Sequence, residues 1–349
     1  MTRESETSME LAVPPRDRAS INDVARRAGV SAQTVSRVAN GMNNVRPATR
    51  ERVLAAMNEL SYRPNSAARN LKAGRFRSIG LVTFNMTTLG NERTLNAVAE
   101  SASAAGYTTI LLPVADPTQS EVAGAFGRLQ EQAVDGIILI MSAEIGSPEE
   151  LRLTAGLPLV IVDSDATQPY TIVDTDQEQG ARLATQHLID LGHREIAHVT
   201  GPASSYSARR RAEAYRSVLT EAGLTVPPTL VGDWTAASGL ARGREIAASE
   251  HPPTAVFVAN DQMALGVLHA FHERGWKVPE QISVVGFDDS DDAEAYWPAL
   301  TTVHQNFDEV GQRATSLLIS LIDGEPAPQN ALVQTHLVVR DSTAPARTS

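Results

Sequence analysis

Gln33 and Arg37 lie one helical turn apart in the segment 31–40, so a helix would present both on one face. Gln can pair with adenine, and Arg with guanine, through two hydrogen bonds each in the DNA major groove. The start of a helix carries partial positive charge, and hydroxyl groups near it suit phosphate oxygens. The other side chains at this face are Ser31, Ala32, Thr34 and Ser36. The segment therefore has the chemistry of a DNA reader, although an ordinary helical hairpin would show the same pattern.

Two short helices would position this face. Ser20 is a suitable N-cap for the first, Asp23 stands where the acidic partner of a capping box belongs, and Gly29 can end the helix because it tolerates a positive φ. Ser31 would cap the second helix. Apolar residues at helical spacing would pack the two helices together: Ile21, Val24, Ala25 and Ala28 in the first, Val35, Val38 and Ala39 in the second. A helix, a turn containing Gly and a second helix form a helix-turn-helix.

The run TVSRVANG, residues 34–41, resembles the N-terminal signature of the lactose-repressor family. The resemblance implies double-stranded operator DNA as a partner and a Leu71 side chain that wedges into the minor groove and kinks the duplex; the alternative is that Leu71 packs on the body. The implied DNA contacts are Ser20, Ile21, Asn22, Ser31, Ala32, Gln33, Thr34, Ser36, Arg37, Asn40, Asn44, Thr49, Tyr62, Asn65, Ala68 and Leu71. Ala32 replaces a large reading side chain of the family, so we expect a different operator sequence.

The predicted head continues to residue 63. A loop rich in turn residues is followed by a third helix, opened by Thr49 or Pro47 and closed by Tyr62. Residues 1–18 are expected to be a disordered lead-in, 19–63 the head, and 64–77 a hinge with a short helix that Asn65 caps. Three helices in about 45 residues need little further core.

Charge divides the chain in the same place. Residues 16–77 hold thirteen Lys/Arg and four Asp/Glu, a net charge of +9, whereas the remainder holds 17 and 37, a net charge of −20. A basic head on an acidic body is the electrostatic pattern of a small nucleic-acid-binding module joined to a domain with another task.

Several functions are disfavoured by what the sequence lacks. It contains no cysteine, hence no disulfide framework or thiolate metal site, and no run of 18 apolar residues that could span a membrane. Phosphate-loop, dinucleotide-binding, zinc-protease and nucleophile-elbow motifs are absent. We therefore expect no enzyme, no cofactor, no metal site and no membrane partner, and a cytoplasmic location.

From residue 78 onward, short Val/Ile-rich runs alternate with helical stretches, which predicts parallel strands covered on both faces. The expected fold is α/β: a three-helix head and hinge helix, then two doubly wound parallel sheets. This body, 78–340, resembles the bilobed, periplasmic-binding-protein-like fold of the same family. The resemblance implies lobe one at about 78–174 and 305–334, lobe two at about 175–304 and 335–340, and a tail at 341–349.

In open parallel sheets, ligands lie beyond the carboxyl ends of the strands. Phe84, Asp163, Asn260 and Asp288 follow predicted strands there. The family resemblance implies an effector pocket formed by Asp163, Ser207, Arg211, Trp234, Asn260, Asp288, Gln305 and Phe307. Carboxylates, amides, a guanidinium and aromatic rings suit a sugar. Phe84 departs from a small polar residue of the family, so we expect its ring to shrink the pocket or to stack on the ligand.

These features predict a dimeric repressor that a small sugar, a galactoside or related saccharide, releases from its operator. Two heads would read the half-sites of a near-palindrome. The tail lacks a leucine heptad, which disfavours a tetramer. Two alternatives are a regulator that uses a corepressor or a phosphoprotein partner, and a sugar solute-binding protein, which would need a secretion signal and no basic head.

Overall fold

The computed structural model describes residues 19–42, 44–63, 74–84, 88–114, 118–141, 156–164 and 170–347. Within the whole chain, contacts separate two compact units, Met1–Arg75 and Phe76–Ser349. The predicted lead-in, the hinge residues Asn65, Ala68 and Leu71, and a helix expected near 142–155 fall outside the described residues.

The first unit contains three helices, α1 (Ile21–Ala28), α2 (Ala32–Ala39) and α3 (Pro47–Glu59). The capping box predicted for α1 is confirmed: Ser20 Oγ accepts from the Asp23 N–H at 3.3 Å, and the Asp23 carboxylate accepts from the Ser20 N–H at 2.9 Å. Gly29 ends α1 with φ 65°. Ser31 caps α2 by accepting from the Thr34 N–H. Local hydrogen bonding therefore fixes both ends of the turn.

A small apolar core joins the three helices. Val24, Val35 and Val53, one from each helix, are fully buried at its centre. Pro47, and not Thr49, is the first residue of α3, where its missing N–H costs no hydrogen bond. At the other end the Tyr62 N–H donates to the Met57 carbonyl at 2.8 Å, which closes the last turn.

The second unit has two six-stranded sheets and seven helices of at least twelve residues within its described ranges. In chain order its elements are β1 (Ser78–Phe84), α4 (Leu89–Ala104), β2 (Thr108–Val114), α5 (Gln119–Glu131), β3 (Gly136–Ile140), β4 (Leu159–Val162), β5 (Thr171–Thr175), α6 (Gln177–Asp190), β6 (Ile196–Thr200), α7 (Tyr206–Glu221), β7 (Leu230–Val231), α8 (Ala236–Ala247), β8 (Ala255–Val258), α9 (Asp261–Glu273), β9 (Ser283–Asp288), a 3₁₀ turn (Ala293–Ala295), β10 (Thr301–His304), α10 (Phe307–Ile322), β11 (Asn330–Val333) and β12 (His336–Val338).

The first sheet has the strand order β11-β5-β4-β3-β1-β2 and is parallel throughout. The second has the order β12-β10-β9-β8-β6-β7 and is parallel except that β12 runs antiparallel to β10. Lobe one and lobe two denote the parts that carry these sheets. The chain passes between the lobes after β5, after β10 and after β11, and these three passages are the crossovers.

Strand burial explains why the sheets are doubly wound. All five residues of β3 are buried, because α4 and α10 cover one face of the first sheet and α5 covers the other. In the second sheet, α8 and α9 contribute to the core on one face, and α6 and α7 to the core on the other. Apolar runs with no polar alternation are what such strands require, so the predicted α/β class is confirmed.

Two boundaries differ from the expected ones. Helix α4 begins at Leu89, four residues before the predicted start at Arg93, because its first turn is polar and gives no apolar period. The segment after residue 340, predicted only as a tail, packs on lobe two: Ser342 is fully buried, and its hydroxyl donates to the Val284 carbonyl at 2.6 Å. Within the described ranges, no helix combines the length and the apolarity that crossing a membrane requires.

Candidate functional site

A cavity lies between the lobes, at the carboxyl ends of strands from both sheets. Its empty space, counted out to the solvent at its mouth, is about 640 Å³. Eight predicted residues line it together: Asp163, Ser207, Arg211, Trp234, Asn260, Asp288, Gln305 and Phe307. Residues distant in sequence thus meet because parallel strands end at the same edge of a sheet.

Three of these residues have an unusual backbone conformation. Asp163, Trp234 and Asp288 have φ angles of 58°, 74° and 119°, a region that non-glycine residues rarely occupy. Each comes at or just after the end of a strand, where the chain leaves the sheet beside the cavity. Such backbone costs on the order of 1–3 kcal/mol per residue and persists where the surrounding structure enforces it, often at a ligand site.

Arg211 and Asp288 form the buried charged centre of the cavity. Their side chains are 5% and 7% exposed, and Arg211 Nη1 lies 3.7 Å from Asp288 Oδ1. Arg211 Nε donates to Gln177 Oε1 at 2.8 Å, and its guanidinium carbon lies 3.7 Å from the centroid of the Phe287 ring. The hydrogen bonds and the ring hold the guanidinium in one place, as a buried charge requires.

Burial shifts the protonation of this centre. It raises the pKa of Asp288 to about 6, although the Arg211 guanidinium and a hydrogen bond from Gln305 both lower it. Burial also raises the pKa of Asp174 well above its ordinary value, with a further rise from the Asp163 charge. Asp261, behind the cavity, has its pKa raised to about 8 by burial and by Asp288. The site is therefore rich in carboxyl groups that hydrogen bonds from a ligand could satisfy.

Close packing of α8 on α9 brings an aromatic ring and an amide together. A Cβ added to Gly239 would lie 2.1 Å from the Met263 carbonyl oxygen, and one added to Gly266 would lie 2.0 Å from the Ala236 carbonyl oxygen. Only glycine allows this approach. As a result Asn260, the N-cap of α9, donates from Nδ2 to the Trp234 carbonyl at 3.1 Å, just before α8 begins.

The crossover after β10 supplies the remaining predicted residues. Gln305 Nε2 donates to Asp288 Oδ1 at 2.6 Å. Phe307, the first residue of α10, is 7% exposed and lies close to Gly90 of α4. Ser207 exchanges a hydrogen bond with Ser205 at 3.0 Å in the first turn of α7. The cavity wall thus includes residues of the crossover after β10 as well as of both lobes.

Several lining residues were missed by the sequence analysis. Asp174 belongs to β5 at its carboxyl end, so the strand-end rule could have found it, and Gln177 opens the next helix. Asn91 and Thr94 lie in the early turns of α4, where the helix start was placed too late. The other lining residues that were not predicted are Thr88, Leu89, Gly90, Ile140, Val162, Thr175 and Val310.

Phe84 is placed differently from the prediction. Its ring is not among the lining groups; it packs in the lobe-one core with Val82, Val114 and Phe126. The Phe84 carbonyl instead accepts from Asn91 Nδ2 at 2.8 Å. A strand side chain can point into the core even at the strand's end, which the strand-end rule does not consider.

The proposed DNA-reading face is partly exposed. In α2, Gln33 is exposed and Arg37 half-buried, and among the described residues no ion pair involves Arg37. Exposed as well are Ser20, Asn22, Ser31, Asn40 and Asn44; half-buried are Ile21, Thr34, Ser36, Thr49 and Tyr62. Ala32 was expected to point outward but packs partly against the head core, because it starts α2 above the turn.

Two family models match the chain. Residues 20–65 match bacterial regulatory proteins of the lacI family, and residues 185–343 match a periplasmic binding protein-like domain. The lactose operon repressor of Escherichia coli K12 is 36% identical over 324 residues, 92% of this chain and 89% of that protein. The chain belongs to the lacI family. This lacI-family protein is a DNA-binding transcriptional repressor and not an enzyme.

Other relatives extend the similarity over nearly the full length. The HTH-type transcriptional repressor PurR of Pasteurella multocida is 36% identical over 93% of this lacI-family chain and 98% of its own. A crystal structure of the Lac repressor dimer bound to operator and the anti-inducer ONPF superposes with a TM-score of 0.86 at 34% identity, covering 93% and 99% of the two chains. A complex of the transcriptional regulator CelR with cellobiose gives 0.70 at 34% identity, covering 93% and 100%.

Proposed function

We propose that this lacI-family protein is a homodimeric, cytoplasmic repressor that a small saccharide, a galactoside or related sugar, releases from operator DNA. The observation that carries the proposal is the buried Arg211–Asp288 pair beside the Trp234 ring, whose centroid lies 5.6 Å from the guanidinium carbon. A charged pair, which can accept and donate hydrogen bonds, next to an aromatic face matches the hydroxyl groups and the apolar C–H face of a sugar.

Each part of the cavity then has a role. Asp288 and Asp163 accept hydrogen bonds from ligand hydroxyls, and Asn260 has both a donor and an acceptor on its amide. The rings of Trp234 and Phe307 cover apolar faces of the ligand. The apolar side chains Ile140, Val162 and Val310 complete the lining and exclude water from one wall.

The response follows from lobe rearrangement. Lobe one, about 78–174 and 305–334, and lobe two, about 175–304 and 335–340, are joined by the three crossovers. A saccharide that binds one lobe arrangement more tightly favours that arrangement and lowers operator affinity through the hinge at 64–77; tight binding without this difference would shift nothing.

The DNA-bound form is a dimer whose heads read two half-sites, with base contacts from Gln33 and Arg37 of α2. The relative solved as a dimer on operator supports this assembly. The hinge residues Asn65, Ala68 and Leu71 would contact the minor groove.

A second candidate is a repressor that a corepressor or a phosphoprotein activates. The similarity to PurR supports this candidate, because that relative is as similar to this chain as the lactose operon repressor is, and its printed name mentions no sugar. A solute-binding role has less support, since residues 20–65 match a family of regulatory proteins.

Operator binding with and without saccharides tests the proposal. Labelled duplexes that flank the gene are titrated with purified protein, and fluorescence anisotropy is followed as galactose, lactose, isopropyl thiogalactoside, glucose or cellobiose is added. Release by at least one saccharide is the expected result. Operator binding that no saccharide weakens would contradict the proposal and favour the corepressor candidate instead.

A further inference from the structure

Four buried side chains at the cavity wall form a closed ring of polar contacts. Arg211 Nε donates to Gln177 Oε1 at 2.8 Å, and Gln177 Nε2 donates to Gln305 Oε1 at 3.4 Å. Gln305 Nε2 donates to Asp288 Oδ1 at 2.6 Å, and Asp288 Oδ1 lies 3.7 Å from Arg211 Nη1. All four residues are buried, so water does not substitute freely for any of these contacts.

The ring has a fixed direction. A guanidinium has only donors, so the group of Gln177 that faces Arg211 must be its oxygen. That leaves the Gln177 NH₂ group for Gln305, which in turn directs the Gln305 oxygen toward Gln177 and its NH₂ toward Asp288. Both amide orientations therefore follow from the one permanent cation in the ring, and each glutamine holds the next residue in its binding orientation.

Gln177 also connects this ring to the lobe crossovers. Its Nε2 donates to Asp174 Oδ1 at 3.4 Å, so its NH₂ group contacts both Asp174, in β5 just before the first crossover, and Gln305, in the crossover after β10. An amide NH₂ group has two hydrogens, so Gln177 can donate to both acceptors at once. A rotation of the lobes about these crossovers must alter the Asp174–Gln177–Gln305 geometry.

We infer that Gln177 is a positioning residue that couples ligand binding at Arg211 and Asp288 to the lobe crossovers. The inference rests on the proposed ligand-responsive function. It extends that function to a residue that was not expected to contact either DNA or a sugar. Gln177 orients Arg211 directly and Asp288 through Gln305, and it senses the crossovers through Asp174. Its loss should therefore lower ligand affinity and also the ratio of operator affinities without and with ligand.

The experiment compares Gln177→Leu, which keeps similar volume but has no polar group, with Gln177→Glu, which keeps the acceptor for Arg211 and lacks the donor for Gln305. Full-length protein is titrated by calorimetry with whichever of lactose, isopropyl thiogalactoside and cellobiose binds the wild type most tightly. Operator anisotropy then gives the release ratio, which is the operator affinity without the same saccharide divided by the affinity with it. The matched control is Gln186→Leu, on the exposed side of the same helix, where the amide donates a hydrogen bond to Asp190 Oδ1.

Gln177→Leu should weaken saccharide binding by about tenfold or more, as loss of a buried hydrogen bond to a charged group implies, and should reduce the release ratio toward one. Gln177→Glu should also reduce the ratio, and Gln186→Leu should change neither quantity.

Three negative outcomes are distinguishable. If the wild type responds to a saccharide and Gln177→Leu responds with the same affinity and ratio, the coupling role is wrong while the proposed function stands. If Gln177→Leu lowers only the thermal stability, and its saccharide affinity and release ratio match those of Gln186→Leu, the residue is structural and the inference is again overturned. If no saccharide binds the wild type or releases it from operator, the proposed function is wrong, and this inference, which rests on it, is wrong as well.

Discussion

Arg211 of α7 and Asp288 at the end of β9 face each other across 3.7 Å with almost no exposure to solvent. Removing either partner would leave the other charge buried and unpaired, which is more costly than the pair itself is favourable. Since both also line the cavity, a ligand that hydrogen-bonds to both groups would add to the interactions that compensate their burial.

Asp288→Asn should abolish the response to saccharide and leave operator binding near the wild-type value, because the head is a separate compact unit. The lost interaction is a hydrogen bond to a charged group, about 1.5–3 kcal/mol. Operator anisotropy with increasing saccharide measures it. Asp190→Asn, an exposed carboxylate on α6, is the control. A wild-type dose–response in the Asp288 variant would exclude this role.

Saccharide affinity should fall as the pH is lowered through about 6. Burial raises the pKa of Asp288 to about 6, so the carboxylate that accepts from ligand hydroxyls is present above that pH and is lost below it. For folding the sign is opposite to that of an acid whose pKa is lowered. Because the folded-state pKa of Asp288 exceeds the unfolded value of 3.8, its contribution to stability declines as the pH rises from the unfolded value to about 6. Calorimetric titrations at pH 7.5, 6.5 and 5.5 test the binding claim; equal affinities at all three would contradict it.

Trp234 should report ligand binding by fluorescence. It is one of three tryptophans and lines the cavity, whereas Trp297 is 93% exposed. A saccharide against the Trp234 ring changes its surroundings, so the emission of wild-type protein should shift on titration. Trp234→Phe should lose that shift, and Trp297→Phe should retain it. A shift that survives in Trp234→Phe would place the ligand elsewhere.

Gly239→Ala should destabilise the second unit by about 1–3 kcal/mol, because the added methyl group overlaps the Met263 carbonyl and must push α8 from α9. The same displacement moves Trp234 relative to Asn260, so saccharide affinity should fall as well. Gly127→Ala in α5, where nothing lies within 4 Å of the new atom, should be neutral or slightly stabilising. Urea unfolding of both variants measures the difference; equal midpoints would show that the helices can separate without cost.

Arg37→Ala should lower specific operator affinity by about 1–3 kcal/mol, the usual worth of a good base contact, and reduce the preference over random duplex. Arg242→Ala on lobe two removes an arginine that pairs only with Glu245 among the described residues. This control should change neither the operator affinity nor the preference over random duplex. Competition titrations with operator and scrambled DNA give the comparison. If Arg37→Ala prefers operator over scrambled DNA as strongly as the wild type does, Arg37 does not contact bases.

The sequence alone determined features that depend on near neighbours in the chain. The Ser20–Asp23 capping box, the turn at Gly29 and the strand β3 follow from residue types within a few positions, because backbone hydrogen bonding and apolar periodicity are local. The two-sheet α/β class followed from the repetition of such segments, and the basic head from charge counting. The eight cavity residues were named from strand ends and family resemblance, and the structure brings them together.

Only the tertiary structure decided how side chains meet across the lobes. Neither the Phe84 ring packing in the core, nor the extra first turn of α4, nor the hydrogen bonds of Gln177 to Arg211 and Gln305 could be read from spacing. Residues 177 and 305 are 128 positions apart, and their contact depends on where two crossovers pass each other. Side-chain direction at a strand end, and the partners of a buried amide, are set by packing against distant elements, because a local pattern fixes which residues are apolar or polar but not which of them become neighbours.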